Sequence, residues 1–341
     1  MMSRRALPVS VLALSAVVLA GCASPAESSG DATSDGAAPI VASTNVYASL
    51  AQALVGDDVE VAAVIDDATQ DPHAYEASAR DRLTVEGATL VLQNGGGYDP
   101  FMEELTGDDA VVLSAVEYSH DFPGAEEHAD EHADDEHADE DAEAEEEHDH
   151  EHSDEEGHEG HDHIEGFNEH VWYDVHAMTH FVEAIAEEIE HELPDLVDAA
   201  TLEANRDALI AELGELESRL EAVGGSHGGE GVFLTEPIGG YLASSAGLED
   251  VTPDGFAESV EEGQDVAPAT LLAAIEVVES GDVAVVLANS QTGGAETDRI
   301  VETAEAQGVP VVELGELLAG DETYVDWMTA NVDALESALA G

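Results

Sequence analysis

The feature that most constrains the fold is an alternation of short apolar runs with helical segments, which occurs twice along the chain. In the first half, apolar runs predict strands at 40–43, 59–65, 89–92 and 111–113, with helices at 47–54, 78–85 and 175–191. In the second half, strands are predicted at 231–234, 283–287 and 310–313, with helices at 241–246, 268–279, 297–307 and 324–340. Strands that alternate with helices predict parallel sheets covered by helices on both faces.

A long helix is predicted between the two halves, over 194–223. Its leucines recur at steps of seven, four, three and four, at Leu202, Leu209, Leu213, Leu216 and Leu220. A helix of about thirty residues spans about 45 Å, longer than one small domain. Gly224-Gly225 and then Gly228-Gly229 are expected to end it. We therefore expect an α/β fold of two lobes with parallel sheets, joined by one long backbone helix.

The length of 341 residues suits about two domains. The predicted boundaries are an amino-terminal lobe over 39–193, a linking helix over 194–224 and a carboxy-terminal lobe over 225–341. Both lobes are expected to take part in binding.

The amino terminus has the pattern of a secretory signal. Arg4 and Arg5 precede an apolar run over 9–19, and small residues follow before Cys22. This segment is similar to a bacterial lipobox, in which the cysteine carries the lipid; an ordinary signal peptide with a chance cysteine is the alternative. We expect a signal peptide over 1–21, a lipidated Cys22 and a flexible tether over 22–38, rich in Ser, Gly, Asp and Ala. The mature chain would be extracytoplasmic and anchored to the cell membrane by lipid.

The charge balance excludes one class of partner. The chain has 79 acidic residues and 7 arginines and lysines, for a formal charge of −72. Nucleic acid is a poor partner because phosphate binding requires a basic face. A single cysteine also excludes an intrachain disulfide and a cysteine-based zinc finger.

An acidic, histidine-rich segment interrupts the first half of the chain. Between Ala125 and Glu165 there are 22 acids and nine histidines, with almost no large apolar residue. Such a composition cannot bury a core, so a disordered loop is predicted over 120–165. Neutral imidazoles bind transition metals, which favours weak auxiliary metal capture or sensing; an inert spacer is the alternative. The nine histidines are His128, His132, His137, His148, His150, His152, His158, His161 and His163.

Three short motifs carry candidate metal ligands at the edges of predicted elements. His73 lies in the loop Asp71–Glu76, His170 precedes a helix, and Glu236 follows a strand. Taken alone, each residue also fits a purely structural role, either as a hydrogen-bonded loop histidine or as a charge at a helix N-terminus. Together, nitrogen and carboxylate ligands from two lobes suit zinc, and also manganese or iron. His176 and His180, four apart on a helix, are expected to be exposed, and His227 is expected to lie in a loop.

No motif of catalysis accompanies these residues. The sequence has no Ser/His/Asp or Cys/His order, and Gly95-Gly96-Gly97 lacks the spacing of a dinucleotide fingerprint. An extracytoplasmic metallohydrolase would need a general base beside its metal, and no His-Glu-x-x-His helix supplies one. We therefore expect no catalytic residues and no enzyme.

The motifs occur in an order that resembles a known family. The lipobox is followed by Asp71-Pro72-His73-Ala74-Tyr75-Glu76, the histidine-rich segment, His170-Val171-Trp172, the long helix, Thr235-Glu236-Pro237 and Ala267-Pro268-Ala269. This order is similar to that of the zinc/manganese solute-binding lipoproteins of ABC importers, the ZnuA/TroA-like family, over nearly all of the mature chain. The resemblance implies a metal site in the cleft between the lobes and an ABC permease as partner. It matches His73, His170 and Glu236 to the first three ligands.

The fourth ligand departs from the family pattern. Manganese members place an Asp shortly after a late strand, whereas 288–294 contains no carboxylate. Water, a loop histidine or the Gln291 amide are the alternatives, and the absence of a hard anionic ligand favours zinc. We therefore expect a monomeric receptor that binds Zn²⁺ as its transported ligand. A Mn²⁺ or Fe²⁺ receptor, and a metal-dependent adhesion lipoprotein, are the alternatives on the same fold.

Overall fold

The structure is a computed structural model that describes residues 38–107, 109–123, 164 and 166–341. The predicted signal peptide, Cys22, the predicted tether up to residue 37 and the nine histidines of the acidic segment lie outside the described residues. Within the described ranges, no helix has the length and apolar character needed to cross a membrane.

The amino lobe is built on a four-stranded parallel sheet. Its strands are β1 (Ile40–Thr44), β2 (Val61–Ile65), β3 (Leu90–Gln93) and β4 (Val111–Ser114), in the spatial order β2-β1-β3-β4. Its helices are α1 (Asn45–Val55), α2 (Ala79–Val85), α3 (Phe101–Leu105) and α4 (Val175–Glu192). The central strand β1 is fully buried, as expected for a sheet covered on both faces.

The long helix α5 extends over Ala199–His227. The predicted leucine stripe is buried along it, as expected. The predicted start at 194 was wrong, and the helix runs past residue 223 to its cap at Gly228, one of the glycines expected to end it. The helix starts later because Asp198 caps it by accepting hydrogen bonds from the Ala200 and Thr201 amides. It passes through Gly224, where a Cβ would lie 3.3 Å from the Ala246 carbonyl oxygen, so this glycine allows close helix packing.

The carboxy lobe repeats the plan of the amino lobe. Its strands are β5 (Gly231–Leu234), β6 (Glu249–Asp250), β7 (Val283–Asn289) and β8 (Val311–Leu314), all parallel, in the order β6-β5-β7-β8. Its helices are α6 (Gly240–Ser245), α7 (Ala257–Glu261), α8 (Pro268–Ser280), α9 (Ala295–Gln307) and α10 (Tyr324–Leu339). The sequence pattern did not predict α3, β6 or α7, which have two to five residues each.

One apolar core extends through both lobes. It joins side chains of β1 and β3 to those of α4, α5, β5, β7 and α10, and the large side chains Tyr47, Trp172 and Tyr324 are buried in it. Two smaller apolar clusters lie on the opposite faces of the sheets, one on the amino-lobe sheet and one on the carboxy-lobe sheet. The prediction of two α/β lobes with parallel sheets and one long helix is confirmed. The boundaries at 39–193, 194–224 and 225–341 stay predictions.

Candidate metal centre

The carboxy lobe brings three polar side chains to one edge of its sheet. Glu236 lies two residues after β5, Asn289 is the last residue of β7, and Glu316 lies two residues after β8. These strands are neighbours in the order β5-β7-β8. Because the carboxyl ends of parallel strands meet at the same edge, the three side chains converge.

The Asn289 amide holds both carboxylates in place. Its Nδ2 donates to Glu236 Oε2 and to Glu316 Oε1, each at 2.8 Å. Thr292 Oγ1 donates to Glu236 Oε2 at 2.6 Å, and the Tyr98 hydroxyl of the amino lobe donates to Glu316 Oε2 at 3.0 Å. Glu236 Oε1, by contrast, is buried and has no hydrogen-bond donor among the described residues. A buried carboxylate oxygen in this condition fits a cation ligand.

His73 reaches this edge from the loop after β2. Asp71 Oδ1 accepts a hydrogen bond from the His73 amide at 2.9 Å, an Asx turn that fixes the loop locally. The imidazole packs edge-on against the Tyr98 ring, with 4.9 Å between centroids. His73 Nε2 lies 3.7 Å from Glu316 Oε2. A side chain of the amino lobe therefore faces a side chain of the carboxy lobe at this point.

His170 presents its second ring nitrogen to the same place. Asn168 Oδ1 lies 2.8 Å from His170 Nδ1 and accepts from the His170 amide at 3.1 Å. An amide oxygen at Nδ1 requires the proton on Nδ1, so the lone pair is on Nε2, the form in which a ring nitrogen can ligate a metal. The side chain is only 1% exposed, and its Nε2 faces Glu261 Oε1 at 3.3 Å.

Asn168 also joins the two lobes. Its side-chain Nδ2 donates to the Pro237 carbonyl oxygen at 2.9 Å. Its backbone carbonyl oxygen accepts from the Tyr241 hydroxyl, also at 2.9 Å. A Cβ at Gly240 would lie 2.8 Å from Asn168 Nδ2, so the absence of a side chain leaves room for this amide. One residue thus orients His170 and contacts the carboxy lobe.

A glycine turn after β3 supports the backbone before His170. The Asn94 side chain donates to the Glu169 carbonyl oxygen at 2.9 Å. Asp99 in turn accepts from the Asn94 and Gly95 amides at 2.6 and 2.8 Å. This tight turn needs positive φ at three consecutive positions, 79°, 67° and 96° at 95–97, which glycine adopts without strain.

The structure brings together both predicted histidines and a carboxylate that the sequence analysis missed. Ligand atoms of His73, His170 and Glu316 lie within 4.8 Å of one another, and the same holds for His73, Glu169 and Glu261. Glu236 is joined to the first group through Asn289. The sequence analysis looked for the fourth ligand at 288–294, after β7, whereas Glu316 follows β8 with the spacing that Glu236 shows after β5. That repeated spacing was the available signal.

Gln291, one of the alternatives for the fourth ligand, makes hydrogen bonds through its side-chain amide. Its Nε2 donates to the carbonyl oxygens of Ala68 and Gln70 at 3.0 and 3.1 Å, and its Oε1 accepts from the Glu316 amide. Both ends of the amide are therefore engaged. Gln291 connects the β2 loop of the amino lobe to the backbone that carries Glu316.

The other described histidines lie outside the groups that contain His73. His176 and His180 are exposed on α4, as expected, with His176 Nδ1 3.2 Å from Glu217 Oε1. His227 was expected in a loop but is the last residue of α5, and its Nδ1 lies 3.1 Å from Glu230 Oε1. A further group on α4 consists of Glu188, His191 and Glu192, of which His191 and Glu192 are exposed and Glu188 is half-buried.

Burial controls the protonation of the acids. Burial raises the pKa of Glu261 to about 9, helped by the negative charges of Glu169 and Glu236. Burial also raises the pKa of Glu316 to about 7, against the hydrogen bonds from Asn289 and Tyr98, which lower it. The pKa of Glu236 is raised for the same main reason. A bound dication would compensate these buried charges.

Two α/β lobes with such a cluster of side chains between them are typical of binding proteins that capture a small ligand in the cleft between their lobes. Residues 40–338 match the family model described as zinc-uptake complex component A, periplasmic, and the chain belongs to this family. The family consists of extracytoplasmic metal-binding receptors of ABC importers and not of enzymes, as expected from the sequence.

One curated relative and two solved structures are similar to this chain over most of their length. The manganese-binding lipoprotein MntA of Halalkalibacterium halodurans is 24% identical over 340 residues, which is 97% of each chain. The periplasmic zinc-binding protein TroA from Treponema pallidum has a TM-score of 0.63 at 18% identity, over 89% of this chain and 99% of that one. The SBP FpvC from Pseudomonas aeruginosa, solved in complex with Mn²⁺, has a TM-score of 0.62 at 21% identity, over 88% and 98%. Both structures show the same fold.

The raised pKa values predict how the metal-free protein responds to pH. A carboxyl whose folded pKa is above its unfolded value of 4.5 binds more protons when folded, so stability falls as pH rises through the folded pKa. We expect the melting temperature of chelator-treated protein to fall between about pH 6 and pH 9. Glu261→Gln should flatten this decline, whereas the exposed control Glu262→Gln should follow wild type. A wild-type melting temperature that rises between about pH 6 and pH 9 would contradict the raised pKa values of Glu261 and Glu316.

Proposed function

We propose that this protein is the high-affinity metal receptor of an ABC importer and binds one divalent transition metal through His73, His170, Glu236 and Glu316. The observation that supports it best is the meeting of two imidazoles from the amino lobe with Glu316 from the carboxy lobe, within 4.8 Å of one another. Glu236 adds an oxygen that no described donor reaches. Two nitrogens and two carboxylates are a ligand set that transition-metal dications accept.

Zn²⁺ is the metal that we propose as the tightest ligand. For a site of fixed N and O donors, affinity rises from Mn²⁺ through Fe²⁺ to Zn²⁺, and the family model describes a zinc-uptake component. Mn²⁺ is the second candidate. The lack of a hard anionic ligand at 288–294 favoured zinc, but Glu316 offers such a ligand from another position. The name of MntA and the Mn²⁺ complex of FpvC support that candidate.

The delivery step follows from the two-lobe arrangement. A metal held by ligands of both lobes links them, so occupancy can be recognised by a permease that contacts both. We propose that the receptor acts as a monomer and hands its ion to such a permease. Interlobe hydrogen bonds from Gln291, Asn168 and Tyr98 make the closed arrangement the one in which the ligands meet.

Substitution of the ligands tests the proposed site. A ligand that binds only the native state stabilises it by about 4 kcal/mol at a thousandfold excess over Kd, so Zn²⁺ should raise the melting temperature of wild type. His73→Ala and His170→Ala should remove most of this rise, and Glu316→Ala and Glu236→Ala should reduce it. Thermal shifts at buffered free Zn²⁺ would measure the effect.

His176→Ala is the matched control, since that histidine is exposed on α4. It should respond to Zn²⁺ as wild type does. Loss of the response in the His176 variant, with retention in the His73 variant, would exclude the proposed site.

We propose that the nine histidines of the acidic segment form auxiliary weak metal sites. Interleaved acids raise the local cation concentration, while each imidazole group binds weakly because its ordering costs entropy. Deletion of 125–163 should leave one tight Zn²⁺ site in a calorimetric titration and remove several weak ones. If the tight site disappeared, a histidine of this segment would have to be a primary ligand, whereas unchanged stoichiometry would identify an inert spacer.

Cys22 is proposed as the lipid anchor. The relative MntA is a lipoprotein by name, and the lone cysteine of this chain follows Leu19-Ala20-Gly21. Cys22→Ala should move the protein from the membrane fraction to the soluble extracytoplasmic fraction, measured by fractionation and immunoblotting. Its Zn²⁺ affinity should not change, and a variant that stays with the membrane would rule the anchor out.

A further inference from the structure

Glu261 lies at the metal centre although it belongs to no ligand motif of the sequence. It is the last residue of the short helix α7 in the carboxy lobe, and its side chain is nine-tenths buried. Its Oε1 lies 3.3 Å from His170 Nε2 and 4.0 Å from His73 Nε2. One carboxylate oxygen therefore faces the ligand nitrogens of both histidines.

The surroundings of Glu261 differ from those of the other two carboxylates. Glu236 and Glu316 are held by hydrogen bonds from Asn289, Thr292 and Tyr98. No donor among the described residues makes a hydrogen bond to Glu261 Oε1, which is buried. A buried carboxylate oxygen that faces two metal-ligating nitrogens lies where a shared cation would bind all three.

Coordination number connects this position to metal choice. Zn²⁺ is satisfied by four ligands in a tetrahedron, so two histidines, Glu236 and Glu316 complete its shell. Mn²⁺ favours octahedral, oxygen-rich surroundings, so a further carboxylate serves it more than it serves Zn²⁺.

We infer that Glu261 is an additional oxygen ligand of the bound ion and that it raises the affinity for Mn²⁺ relative to Zn²⁺. The inference rests on the metal site proposed above and assigns it a third carboxylate. It makes the receptor one that accepts metals of six-fold coordination as well as Zn²⁺. Glu169, which is within 4.8 Å in the group with His73 and Glu261, adds negative charge next to this ligand.

Three variants of the full chain separate coordination from simple charge. Glu261→Gln removes the anionic ligand at nearly constant volume. Glu261→Asp keeps the charge but withdraws the oxygens by one methylene. Glu258→Gln removes the same charge from an exposed position on the same helix and is the control.

The experiment measures Kd for Mn²⁺ and for Zn²⁺ separately, by competition with a chelator of known affinity. We expect Glu261→Gln and Glu261→Asp each to weaken Mn²⁺ binding about tenfold or more, and Zn²⁺ binding by about threefold or less. Glu258→Gln should leave both affinities as in wild type. The electron paramagnetic resonance spectrum of bound Mn²⁺ should change in both Glu261 variants and not in the control.

Each other outcome has a distinct meaning. Equal losses for the two metals, or a Glu261→Asp variant that binds Mn²⁺ as wild type does, would reduce Glu261 to a nearby charge and overturn the inference. Unchanged Mn²⁺ affinity in Glu261→Gln would do the same. A wild-type protein that binds neither Mn²⁺ nor Zn²⁺ would instead refute the proposed function.

Discussion

The shared amide of Asn289 is the interaction on which the rest of the site depends. It donates to one oxygen of Glu236 and one of Glu316 at 2.8 Å each, and so holds two acids side by side. This is possible because β5, β7 and β8 are adjacent and parallel, which puts their carboxyl ends at one edge. The amino lobe places the imidazoles of His73 and His170 opposite that edge, within 4.8 Å of Glu316.

The same arrangement imposes an electrostatic cost. Glu236, Glu261 and Glu316 are buried close to one another, and burial raises the pKa of each. Without a cation, these acids are stabilised only as far as protons and hydrogen-bond donors neutralise them. A dication bound at the same place removes that cost and displaces protons, which couples metal affinity to pH. The site is therefore arranged for capture of a cation in an already strongly acidic chain.

Local patterns predicted most of the fold, since apolar strands, amphipathic helices and the leucine stripe of α5 depend on neighbouring residues. The predicted start of α5 was wrong because the Asp198 cap sets it, and the helix continues through Gly224 to its cap at Gly228 because Gly224 packs closely on Ala246. His73, His170 and Glu236 were recognisable from motifs at element edges. Glu316 has the same spacing after its strand as Glu236, but no motif singles it out, because it follows β8 rather than β7. Glu261 had no signal, because only tertiary packing carries α7 to the two imidazoles.

The most direct measurement for the central claim is a crystal structure of the metal-loaded protein with anomalous data collected at the absorption edge of the metal. Our account predicts one strong anomalous peak at bonding distance, about 2.0–2.2 Å for zinc, from His73 Nε2, His170 Nε2 and oxygens of Glu236 and Glu316. A principal peak elsewhere, or one coordinated by only one lobe, would contradict it.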